Sequence, residues 1–119
     1  MKQTERKFAL FAFNGEPMCF AHVLLNALDL DAKGYQVKLI IEGSATALVT
    51  GFETGEAPFS PKYRECIEKG LIAGICKACA SKMGSLESAQ RQQLLLLDDM
   101  LGHPSIERYI REGYEVISF

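Results

Sequence analysis

The 119-residue chain has almost no excess of charge: 13 Lys and Arg stand against 15 Asp and Glu, a net charge of −2. That balance gives no electrostatic reason to expect nucleic acid or an anionic membrane surface as a partner, and no basic patch with interleaved aromatics is present. A long apolar run is also missing. Behind the polar start Met1–Lys7 the apolar stretch reaches only from Phe8 to Phe13. It is too short for a signal peptide or a membrane span, so the expected compartment is cytoplasmic. No repeat, low-complexity segment or linker interrupts the chain, so 1–119 reads as a single domain. No glycine-rich phosphate loop follows the first apolar run: Asn14-Gly15-Glu16-Pro17 has one glycine, and a proline that removes a donor. No Gly-x-Ser-x-Gly elbow is present. Four cysteines in a compartment that keeps thiols reduced read as thiols or ligands rather than as a disulfide framework.

What remains is ordinary globular material, 48% hydrophobic and 24% charged. The apolar run Lys7–Phe13 has the pattern of a strand covered on both faces. Pro17 suits the first position of a helix whose buried face is predicted to be Met18, Ala21, Leu25 and Leu28, closed at Gly34. Tyr35–Glu42 is a second strand, which makes a βαβ unit. Residues 45–50 suggest a short helix, and Gly51–Phe59 a loop at the rim. Ser60 is an expected N-cap, and Tyr63, Cys66, Ile67 and Gly70 share one face of the helix it opens. Leu71–Ile75 is a third strand, followed by a short helix from Ala78 to about Met83 with Gly84 at its C-cap. Residues 85–91 suggest a helical turn or two. Leu94–Leu97 is either a short buried strand or part of a helix. Pro104 is expected to start a last helix with Ile106, Tyr109 and Ile110 inward, and Tyr114–Phe119 is a closing strand. The expected fold is a single three-layer α/β/α domain, doubly wound, with four to five mostly parallel strands. Ligands of such sheets bind at the carboxyl ends of the strands, where the loops Asn14–Met18, Gly43–Ser44 and Cys76–Cys79 should meet.

The chemistry concentrates on Gly74-Ile75-Cys76-Lys77-Ala78-Cys79-Ala80. Cys76 and Cys79 form Cys-x-x-Cys at a strand-to-helix turn. The pair reads as a redox dithiol, a metal half-site, or one functional thiol beside a packed one. Free backbone N–H groups and the helix dipole there, with Lys77 adjacent, are expected to favour a thiolate. Cys19 and His22, three residues apart on the first helix, make a second half-site. If the strands ending at Phe13 and Ile75 are neighbours, Cys19, His22, Cys76 and Cys79 would form a zinc or iron site; otherwise Cys19 is a small buried hydrophobe and His22 a partly exposed helix residue. His103 reads as a general base, a ligand or a substrate contact, or else as a cap or surface residue. Asn14, Lys77 and His103 are the candidate substrate contacts. Cys66 belongs to the core, and Asp98-Asp99 to a solvated loop.

The chain resembles the DsrE-like family, small α/β proteins related to the DsrE/DsrF/DsrH and TusB/TusC/TusD sulfur-relay subunits. The resemblance rests on the first strand and loop leading into helix Pro17–Leu30, on Gly34-Tyr35-Gln36-Val37, on Ile75-Cys76 followed by Gly84, and on Tyr114-Glu115-Val116-Ile117-Ser118-Phe119. It implies that Cys76 takes up sulfane sulfur as a persulfide and hands it on, with a sulfur donor or acceptor protein as partner. It also implies a homo-oligomer, a trimer or hexamer. Cys79 and the Cys19/His22 pair depart from the family pattern. A second thiol beside a persulfide can attack it, releasing sulfide and leaving a disulfide. The alternatives are a metal-binding protein without turnover and a non-catalytic oligomeric subunit.

Overall fold

In a computed structural model that describes residues 5–119, five parallel strands form one sheet in the order β4-β3-β2-β1-β5. They are β1 (Lys7–Ala12), β2 (Gln36–Ile41), β3 (Ile72–Cys76), β4 (Leu96–Leu97) and β5 (Tyr114–Ser118). The helices are α1 (Pro17–Ala32), α2 (Val49–Thr54), α3 (Ser60–Glu68), α4 (Lys77–Lys82), α5 (Leu86–Arg91) and α6 (Ile106–Arg111), with a 3-10 segment over Gly43–Leu48. Strands β1 to β4 step in one direction across the sheet, and β5 then returns to the far side of β1. With right-handed crossovers that reversal puts α6 on the opposite face from the other helices, which is the doubly wound arrangement. None of the described helices is long and apolar enough to cross a membrane.

The two faces are unequal. The larger layer buries Phe8, Leu10, Leu39, Ile41 and Ile75 of the sheet under Phe20, Val23, Leu24, Phe52, Tyr63 and Ala89 of the helices. Phe52 stacks on Tyr63 with ring centroids 4.4 Å apart and sits 5.3 Å from Phe20. The other face carries a small cluster of Ala9, Phe11, Ile40, Leu97 and Tyr109. Burial of the inner strands on both faces explains why β1 reads as a continuous apolar run.

Several local expectations are corrected. Helix α1 buries Phe20, Ala21, Val23, Leu24 and Ala27 and leaves Met18 and Leu25 exposed. It is apolar over most of its circumference, so periodicity allows more than one stripe and contact with the sheet selects one. Residues 51–54 are helical rather than loop, because Phe52 anchors α2 in the core despite Gly51. Phe59, at φ +68°, takes the cap position before α3, while Ser60 is inside the helix and donates its hydroxyl to Ala57 O. Helix α6 starts at Ile106 and turns only Tyr109 inward; Ile106 and Ile110 are exposed. The Leu94–Leu97 ambiguity resolves as a short strand over its second half: Leu96 and Leu97 pair with Ile75 and Cys76, and Leu95 O accepts from Ile75 N–H at 2.9 Å. Gly74 makes that approach feasible, since a Cβ there would lie 2.5 Å from Leu95 O.

Candidate functional site

Strand β3 ends on Cys76, and α4 begins at the next residue. Cys76 is fully buried at the sheet's carboxyl edge, between the ends of β2 and β4. Its Sγ accepts from the Cys79 backbone N–H at 3.3 Å, so the thiol caps its own helix. Cys79, three residues on, turns its half-buried Sγ to the same side.

The third member comes from the loop between β4 and α6. Met100-Leu101-Gly102-His103 closes on itself through paired bonds, Met100 N–H to His103 O at 2.8 Å and His103 N–H to Met100 O at 2.9 Å. Leu101 has φ +50° and Gly102 φ +90°, the signature of a two-residue type I′ turn. This turn docks on α4, where Ala78 N–H donates to Gly102 O at 2.9 Å. His103 Nδ1 consequently lies 3.1 Å from Cys76 Sγ and 3.7 Å from Cys79 Sγ. The donor atoms of Cys76, Cys79 and His103 all lie within 4.8 Å of one another. A cavity of about 360 Å³ adjoins this cluster, lined by Lys77, Ala78, Ser81, Leu86, Asp98 and Gly102.

Burial pushes the Cys76 thiol up to about 12; the Cys79 N–H works against that rise, and the Cys79 thiol and the Glu42 charge add to it. The resting side chain is therefore a thiol, not the thiolate that the strand-to-helix turn suggests. Helix α4 has six residues, so its terminal field is weak beside the loss of solvent. Lys77 points elsewhere, 3.9 Å from Asp98, with both side chains half exposed. Glu42, at the end of β2, is raised by burial while the charge of His103 lowers it. Glu42 and His103 are thus electrostatically coupled.

Of the residues singled out in the sequence, Cys76, Cys79 and His103 come together. Cys19 and His22 do not join them, because β2 lies between β1 and β3 and the expected adjacency fails. Cys19 is half-buried in the first turn of α1, its N–H held by Glu16 Oε1 at 3.2 Å, and His22 is exposed. Asn14 spends its Oδ1 on the Glu16 N–H at 2.8 Å, opening α1. Its loop does meet the Gly43–Ser44 loop, through Gly15 N–H to Ser44 Oγ at 2.8 Å. Cys66 is buried core, as expected. Sequence reasoning missed Glu42 and Gly102. Glu42 closes the strand next to β3 and so stands at the binding edge once the strand order is known.

The model of the DsrE/DsrF-like family matches residues 8–119. An uncharacterized protein of Methanocaldococcus jannaschii is 32% identical over 96 residues, covering 81% of this chain and 76% of that one. An uncharacterized protein of Archaeoglobus fulgidus is 42% identical over 50 residues, covering 42% of this chain and 82% of its own. A second from the same organism is 51% identical over 37 residues, 31% of this chain and all of that protein. No solved structure matches.

Proposed function

The chain belongs to the DsrE/DsrF-like family, and on that premise we propose that it is a sulfur carrier that takes up sulfane sulfur on Cys76 and passes it to an acceptor thiol. The observation that supports this reading is the His103 Nδ1 at 3.1 Å from Cys76 Sγ. A buried thiol needs a base within hydrogen-bond reach before it can attack. In loading, Cys76 Sγ attacks the outer sulfur of a donor persulfide R–S–SH. The donor S–S bond breaks and a new S–S bond forms on Cys76. The Cys76 proton passes to His103 Nδ1 and then to the departing donor thiolate, giving R–SH and Cys76–S–SH. Unloading runs the same exchange with the acceptor thiol. Because Cys76 is closed to solvent, the donor must reach it with a slim terminal persulfide or polysulfide chain. Cys79 is the resolving thiol: its attack on the inner sulfur would release hydrogen sulfide and leave a Cys76–Cys79 disulfide. The same reading includes a homo-oligomer, for which the exposed Ile106 and Ile110 of α6 offer apolar surface; light scattering measures it.

The test is intact mass after anaerobic incubation with a small polysulfide. In a Cys79→Ser background, which cannot resolve the persulfide, the protein should gain one sulfur atom; adding Cys76→Ser should abolish the gain, and adding His103→Ala should slow it about 100-fold. Normal loading of Cys76→Ser would overturn the assignment.

A further inference from the structure

The geometry points to a zinc-class metal site built from Cys76, Cys79 and His103, whose occupancy blocks sulfur loading. The site itself stands on the three side chains; the blocking rests on the sulfur-carrier reading above. Zinc bonds of about 2.3 Å to sulfur and about 2.0 Å to nitrogen in a tetrahedron separate the ligand atoms by roughly 3.6 Å for S···N and roughly 3.8 Å for S···S. His103 Nδ1 stands 3.1 and 3.7 Å from the two sulfurs, and all three atoms fall within 4.8 Å. The Cys79–His103 separation already matches a tetrahedral set, and the Cys76–His103 pair would open by about half an ångström around one ion.

Two thiolates and an imidazole form a borderline-soft set that suits zinc, and three protein ligands leave a fourth position for water or an incoming ligand. The outer shell is also in place. The Cys79 N–H already donates to Cys76 Sγ at 3.3 Å, the kind of contact that disperses charge on a metal-bound thiolate. The type I′ turn fixes the backbone on either side of the His103 ring. Two of these ligands come from α4 and its cap and the third from a separate loop, so the ion would cross-link the β3 end to the residue 100–103 turn. The site differs from the four-ligand set read in the sequence: it uses His103 and excludes Cys19 and His22.

An ion bound there holds both sulfur lone pairs that the carrier needs. Loaded protein should therefore be unreactive towards sulfane sulfur until the metal is removed by a chelator. The test uses the full reduced chain, prepared anaerobically and free of metal, titrated with zinc against a chromophoric chelator. Cobalt(II) in a parallel titration reports the ligand set by its thiolate charge-transfer bands. One equivalent should bind. Cys76→Ser, Cys79→Ser and His103→Ala should each weaken binding by about 100-fold or more, beyond what outer-shell changes cost, and Cys19→Ser should not change it. Circular dichroism of each variant separates lost ligands from lost fold. Absence of stoichiometric binding, or binding unchanged in both Cys79→Ser and His103→Ala, overturns the site. Metal-free protein that loads sulfur but binds no zinc leaves the carrier reading standing alone. Protein that binds zinc but never loads sulfur when metal-free leaves the metal site standing alone and removes its blocking role.

Discussion

Changing Leu101 to Asn should make the protein more stable. Leu101 sits in the left-handed region at φ +50°, in the first central position of the turn that carries His103. For a branched hydrophobic residue that conformation costs on the order of 1–2 kcal/mol, while Asn tolerates it and Asn-Gly is the preferred pair for this turn. The Leu101 side chain is 97% exposed, so its removal sacrifices no burial. The expected gain is about 1 kcal/mol. Unfolding entropy of about 2.1 cal/mol/K per residue over 119 residues amounts to about 0.25 kcal/mol/K, so Tm should rise by about 4 °C. Gly102→Ala is the opposite arm. It forces a Cβ onto φ +90° and places it 3.2 Å from Ala78 Cβ, which should lower Tm by about 4–8 °C. The two variants also separate stability from positioning. Leu101→Asn should load sulfur as the native protein does, and Gly102→Ala, by tilting His103 off Cys76, should load more slowly. Calorimetry and intact mass read both. A Leu101→Asn protein that melts at or below the native temperature refutes the turn's strain, and unimpaired loading by Gly102→Ala refutes its role in holding His103.

Three further outcomes follow from burial. A thiol reagent under native conditions should modify the half-buried Cys19 and Cys79 quickly and the buried Cys76 and Cys66 slowly, with four thiols reacting after denaturation; fast reaction of three or four in the native state contradicts the packing. Burial pushes the Cys66 thiol up to about 12 from an ordinary value near 9. Its proton therefore stays on the folded chain and leaves the unfolded one between those values. Stability should be unaffected below about pH 9 and fall above it, by up to about 1.4 kcal/mol per pH unit. Urea melts should show a shallower alkaline slope for Cys66→Ala than for the native protein; equal slopes mean that the thiol ionises normally. Tyr63→Phe removes the hydroxyl that donates to the half-buried Gln92 Oε1 at 2.7 Å and should cost about 1 kcal/mol by chemical denaturation, the net worth of one hydrogen bond whose acceptor water can still reach.

The fold was legible where the pattern is strong. A covered apolar run, a proline-led helix and a second apolar run define β1-α1-β2, and the parallel sheet follows from the short connections between them. Cys76 and Cys79 were legible because spacing alone puts them on one side of a helix start. The partner of that pair was not. Pairing His103 with Cys76 depends on a turn whose central residues are Leu-Gly, and Leu gives no signal for a left-handed position. Strand order is equally invisible in local pattern, and it decides both that Glu42 joins the site and that Cys19 and His22 do not. The protonation state of Cys76 was misread because helix-start chemistry is local in sequence, whereas the burial that outweighs it comes from β2, β4 and the distant turn.

The unequal covering of the sheet has a kinetic consequence. Tyr109 is the one residue of α6 that is buried, packed edge-on against Phe11 at 5.6 Å and Tyr114 at 6.0 Å. A six-residue helix fastened by one ring is the segment whose amides should exchange with solvent at the lowest opening free energy, well below that of β1 to β3. His103 lies three residues before this helix. Each partial opening of α6 would loosen the strap that carries the imidazole while both thiols stay fixed on β3 and α4. The frequency with which Cys76 meets the outside is then set by fluctuation of one weakly anchored segment, and not by the stability of the sheet that holds it.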